Sequence, residues 1–360
     1  MKRAVISDCE GPISKNDNAF ELTAHFVPNG DKLFTVISKY DDVLAAVLKR
    51  PRYKAGDTLR LILPFLKAYD VSNEKMREFS AKSLVLIANT KETLDYLRSI
   101  AYAFIVSTSY EHYIRALCQT IGFPYENTYC TKVNIDKYVL PEKEIIELRK
   151  IALEIAQMPV IEIPNGAKSI EDFSEKDRET IRRLDEIFWK EMAVMASRKI
   201  LEEVNPIGGF EKAEAVKDAA QRARIELSDI MYVGDSITDV EAFKLVKGGG
   251  GLTVSFNGNQ YAVKNADVAI LSETSLTTAA VADIFCRFGK NQVFELVKKW
   301  SRETLAKSPI NPNLREKLLK LYPQELPKVK IVTSENMDVL AKESMEFRKK
   351  VRGEAIGRLG

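Results

Sequence analysis

Histidine and cysteine are scarce in this 360-residue chain, with two of the first and four of the second. His25 and His112 stand far apart, and Cys9, Cys118, Cys130 and Cys286 include no Cys-x-x-Cys pair. A zinc centre needs several such ligands at short spacing, and a disulfide framework usually shows regular cysteine pairing, so the pattern argues against both. Net charge is almost absent too: +3 at pH 7, spread evenly, argues against nucleic acid or an anionic membrane surface as partner. No apolar run reaches the roughly 18 residues of a membrane span, and Asp8 cuts short the run that follows Met1-Lys2-Arg3, so neither a secretory signal nor a membrane insertion is expected. With 45% hydrophobic and 29% charged residues, the chain reads as globular and cytoplasmic. Its length allows a full core with one or two added modules.

Against these absences stand carboxylates placed at strand ends. Ala4 to Ser7 is a short apolar run that delivers Asp8 and Glu10 at its C-terminal end, where ligands bind in an open parallel sheet. Strand side chains alternate faces, so carboxylates at i and i+2 beyond the last strand residue can share one cavity, one as nucleophile and the other as proton donor. Alone this is weak, since an aspartate commonly caps a strand or opens a turn. A second apolar run, Met231-Tyr-Val-Gly234, ends in Asp235, with Asp239 four residues on. Clustered carboxylates repel unless a cation or proton intervenes, and oxygen-only ligands favour magnesium.

Two further segments supply anion partners. Tyr102 to Val106 reads as a strand followed by Ser107-Thr108-Ser109, whose hydroxyls and backbone N–H groups at a strand-to-helix turn suit phosphate oxygens. Lys212 opens the helix-like stretch 211–224 and precedes Asp235 by 23 residues, room for one helix, a turn and one strand. A lysine there can neutralise carboxylate and phosphate together. His112, five residues after Ser107, has no recognisable acid partner and is read as a packing residue, as is Cys9, which strand alternation turns away from Asp8.

In this order and spacing the four segments resemble the haloacid dehalogenase-like superfamily of phosphatases and phosphomutases. The resemblance implies an α/β fold, a doubly wound Rossmann-like parallel sheet, with Asp8 as nucleophile, Glu10 as acid/base, and Ser107, Thr108 and Lys212 on the phosphate. It also implies Mg2+ held by Asp8, the Glu10 backbone carbonyl, Asp235 and Asp239, and a small phosphorylated substrate. The family's first motif usually carries Asp two residues after the nucleophile and Thr or Val two after that, where this chain has Glu10 and Pro12. Glutamate moves the carboxyl by about one bond length. The Asp-x-Glu-Gly-Pro opening is also similar to an archaeal group of accessory subunits of an energy-converting hydrogenase, which leaves an alternative: a weakly active or non-catalytic subunit that binds a protein partner.

The core is expected to comprise 1–13, 100–123 and 205–290. Residues 14–99 read as a helical cap with helices over 19–26, 32–49, 58–69 and 75–88, broken at Pro28-Asn-Gly30 and Pro51. A second, α+β cap insert, 124–204, combines strand-like 128–135 and 159–163 with helical 141–156 and 174–204. A helical extension, 291–360, follows, with an extra strand at 328–333 and a Lys/Glu-rich helix, 334–352, read as solvated.

Overall fold

The structure is a computed structural model that describes residues 2–164 and 166–359. Seven strands form its sheet: β1 (Ala4–Ser7), β2 (Tyr102–Tyr110), β3 (Thr128–Thr131), β4 (Ile230–Gly234), β5 (Leu252–Phe256), β6 (Val268–Leu271) and β7 (Lys328–Ile331). Their order across the sheet is β3-β2-β1-β4-β5-β6-β7, parallel throughout except for β7, which runs antiparallel on β6. Helices cover both faces, so β1, β4, β5 and β6 are buried along their whole lengths. That is why they read as continuous apolar runs rather than alternating ones. The chain steps one way from β1 to β3, then crosses to β4 on the other side of β1. The reversal lies between β1 and β4, and a doubly wound sheet binds its ligands at such a point.

Register sets what meets there. Ser7 pairs with Val233 of β4 and with Ile105 of β2, so Asp8 and Asp235 leave neighbouring strands at nearly the same level. The Asp8 N–H donates to the Val233 carbonyl at 2.8 Å, carrying the ladder one residue past the strand.

The stretches inserted after β1 and after β3 bury their apolar residues in one cluster, which includes Leu22, Leu33, Ile37, Phe65, Leu148, Ile155, Leu184 and Phe188. Each such side chain contributes on the order of 2 kcal/mol on leaving water. Several local expectations change. Residues 159–163 form no strand: prolines bracket the segment and Ile161 packs into the cap cluster instead. The helix expected to reach 88 ends at Ser83. Beyond it Asn16 accepts from the Val85 N–H, Lys15 donates to the Val85 carbonyl, and Leu86 and Ala88 bridge Ser14 and Thr274. Stretch 174–204 breaks into a helix (Glu175–Glu186), a π turn (Ile187–Glu191) and a helix (Arg198–Glu203), the wider turn letting Ile187 and Phe188 both face the core. Ser107 to Ser109 still belong to β2, and the following helix starts at Glu111. Among the described residues no helix is long and apolar enough to cross a membrane.

Candidate active site

The strand ends assemble a buried ionic cluster. Lys212, on the first turn of the helix Phe210–Ala223, has no solvent exposure and donates to Asp8 Oδ2 at 2.6 Å and to Asp239 Oδ1 at 2.8 Å. The Cys9 N–H donates to Asp8 Oδ1 at 2.6 Å. Asp239 is saturated: Tyr232 donates to Oδ1 at 2.8 Å, while the N–H groups of Asp235 and Ser236 donate to Oδ2 at 2.9 and 3.0 Å. It thereby shapes the loop that presents Asp235. Burial pushes the Asp8 carboxyl above its ordinary value, against the pull of Lys212, with Asp239 and Asp235 adding to the rise. Burial also works against the Lys212 charge, but Asp239 and Asp8 more than offset it and hold its pKa above the usual lysine value.

Asp8, Asp235 and Asp239 each offer a carboxylate oxygen within 4.8 Å of the others, all three buried. A dense, oxygen-only donor set fits a hard divalent cation, whose charge would also relieve the carboxylate repulsion. Two glycines make the cluster possible. Gly11 has φ +106, and a Cβ there would overlap the Asp235 carboxylate; a Cβ at Gly234 would overlap that of Asp239.

Glu10 lines the same cavity as Asp8, and its extra methylene has a visible use. Its Oε1 accepts the N–H of Asn18 at 2.6 Å, the first residue of the cap helix Asn18–Phe26. Burial, reinforced by Asp17, pushes the Glu10 carboxyl well above its ordinary value, which favours the protonated form a general acid requires. Thr108 also lines the cavity, whereas Ser107 turns its hydroxyl to Ser109 at 3.1 Å and is not among the lining residues. His112 is buried and bonds Asn73 through Nε2 at 3.1 Å, away from the cluster. The cavity measures about 90 Å³, well below the roughly 300 Å³ at the lower end of ligand pockets.

Part of the lining was not foreseen. The cap contributes Asp17, Ser38, Asp41 and Thr58, and the C-terminal segment contributes Arg348, Arg352 and Leu359. The helix Met337–Arg352, expected to be solvated, carries a buried stripe of Leu340, Ala341, Ser344, Arg348 and Arg352. Its spacing of three and four was present in the sequence, obscured because three of the five stripe residues are polar.

A family model for haloacid dehalogenase-like hydrolases matches residues 83–284, over half of the chain, and the protein belongs to that family. Among solved structures, a gene product from Archaeoglobus fulgidus is 29% identical, covers 100% of this chain and 99% of its own, and superposes with a TM-score of 0.81. Phosphoserine phosphatase in its apo form is 15% identical, covering 76% of this chain and 96% of its own with a TM-score of 0.42. A phospho-aspartyl intermediate analogue of phosphoserine phosphatase, also 15% identical, covers 74% and 92% with a TM-score of 0.45. No curated protein matches the chain.

Proposed function

We propose that the chain is a magnesium-dependent phosphomonoester hydrolase that acts on a small phosphorylated metabolite through an aspartyl-phosphate on Asp8. One observation carries this reading: Lys212 bridges Asp8 to Asp239 in a buried cluster with Asp235, and Glu10 faces the same cavity. An Asp8 carboxylate oxygen attacks phosphorus while the bond from phosphorus to the ester oxygen breaks, and Glu10 gives its proton to the departing alkoxide. Glu10 then takes a proton from water as the water oxygen attacks the same phosphorus, releasing phosphate and restoring Asp8. Lys212 and Thr108 hold phosphate oxygens, with Ser107 supporting the strand end beneath them. Asp8, Asp235 and the Glu10 backbone carbonyl would hold the metal, with Asp239 behind them, and the ion would neutralise charge on the transferring group. In this reading 14–99 and 124–204 cap a core of 1–13, 100–123 and 205–290, and 291–360 extends it.

A panel of small phosphoesters with Mg2+, run beside Asp8→Asn, tests the assignment. Turnover is expected for the natural chain and none for the variant, which preserves side-chain volume and folds alike by circular dichroism. Equal activity in both would place the chemistry elsewhere. Inertness of the natural chain across the panel would favour a binding subunit.

A further inference from the structure

Three residues that line this cavity, Arg348, Arg352 and Leu359, belong to the C-terminal segment. The helix Met337–Arg352 lies against the helix Gln260–Asn265, and Ser344 donates to the Gly258 carbonyl at 2.6 Å. From there Arg348 Nη1 reaches Asp235, donating to Oδ2 and, at 3.2 Å, to its backbone carbonyl. Arg352 Nη1 donates to the same Oδ2 at 3.1 Å, while its Nε and Nη2 hold the carbonyls of Lys15 and Asn16 in the loop after β1. Both arginine side chains are only 3% exposed. Gly353, at φ +87, then turns the chain, and Leu359 inserts into the apolar cluster of the cap. The segment thus straps core to cap along one wall of the cavity.

We propose that segment 337–359 is a tethered cationic plug, in which Arg348 and Arg352 compete with a divalent cation for Asp235. The inference rests on the metal assignment made above. Two guanidinium groups already bond Oδ2 of the Asp235 carboxylate on which a metal would also sit, and like charges repel when crowded on one carboxylate. Arg348 shows that its place is a compromise: its Nε is buried and has no hydrogen-bond partner among the described residues. A cation seated on Asp235 therefore weakens the arginine contacts. Their release loosens the strap and widens a cavity otherwise too small for a phosphorylated metabolite. Metal loading and substrate admission become one event.

Calorimetric titration with MgCl2, without substrate, on the natural chain, Arg348→Gln and Arg352→Gln provides the test. Removing one guanidinium leaves the other on Asp235, so neither variant strands a buried charge. Mg2+ affinity is expected to rise by about tenfold or more in Arg348→Gln, as charges a few ångström apart in protein interact strongly. Hydrogen exchange of 337–352 is expected to quicken when Mg2+ is added to the natural chain. Asp235→Asn should quicken it without any metal, a measurement that remains if the arginine variants fold poorly. Unchanged or weaker Mg2+ affinity in Arg348→Gln, or exchange indifferent to both Mg2+ and Asp235→Asn, would overturn the plug. If no variant binds Mg2+, the plug and the metal assignment fall together. If competition is observed but no phosphoester is cleaved, the plug stands and hydrolysis does not.

Discussion

Replacing Lys212 with methionine is the most demanding test of the ionic cluster. Methionine fills nearly the same volume, so the perturbation is the loss of a charge that is wholly buried and bonded to Asp8 and Asp239. Breaking a buried pair by removing one partner costs about 3–5 kcal/mol, because the other charge remains desolvated and uncompensated. In a chain of this length that lowers the melting temperature by on the order of 10 °C. The pH dependence has a defined sign. Burial already raises Asp8 above its ordinary 3.8, and Lys212 opposes the rise, so the variant's Asp8 titrates higher still. A group whose folded pKa is raised stabilises fully below its unfolded value, and that stability drains away as pH climbs towards the folded one. The deficit of Lys212→Met should thus be level between pH 4 and about pH 8, where Asp8 is protonated in both folded proteins, and widen above that as the natural chain's Asp8 ionises beside Lys212. Urea unfolding of both proteins at several pH values, without divalent ions, measures it. A deficit below about 1 kcal/mol, or one that widens on acidification, would refute the reasoning.

Two other variants probe neighbouring groups. Glu10→Gln should lower turnover by about 10² to 10⁴, least for nitrophenyl phosphate, whose leaving group needs little protonation; an equal loss for all leaving groups would deny Glu10 the proton transfer. Glu10→Asp should give up the Asn18 N–H bond, and a rise in its rate would mean that the longer side chain serves the cap rather than the chemistry. Asp41, buried in the cap beside Asp57 and Asp42, has its carboxyl pushed up to about 7 and accepts the Gly56 N–H at 2.9 Å. Asparagine can keep that bond. Asp41→Asn should therefore remove up to about 4 kcal/mol of the stability lost between roughly pH 4 and pH 7, read as the difference between the two proteins' unfolding curves.

Much of the site was legible because its residues sit at strand ends, and strands announce themselves locally. Uninterrupted apolar runs before Asp8 and Asp235 mark interior parallel strands, and the 23-residue step from Lys212 to Asp235 leaves room for the helix that brings the lysine to those strands' C-terminal ends. Element boundaries in the caps were less readable. Residues 159–163 carry strand-like side chains yet have no neighbour to pair with, and the stretch beyond Ser83 trades helical bonds for contacts with Asn16 and Ser14. Such choices depend on what lies alongside, which local preference does not encode.

Within the chain's own order of residues lie the strand-like runs and the carboxylates and lysine beside them, each readable along one short segment, while their meeting in one cluster was implied by the family resemblance. Only the tertiary structure could bring Arg348 and Arg352 to Asp235, more than 110 residues away, or join the cap helices and Leu359 in one apolar cluster. An arginine on a charged helix looks solvated until the helix is docked, because its burial is decided by the carboxylate it finds and not by its neighbours in sequence.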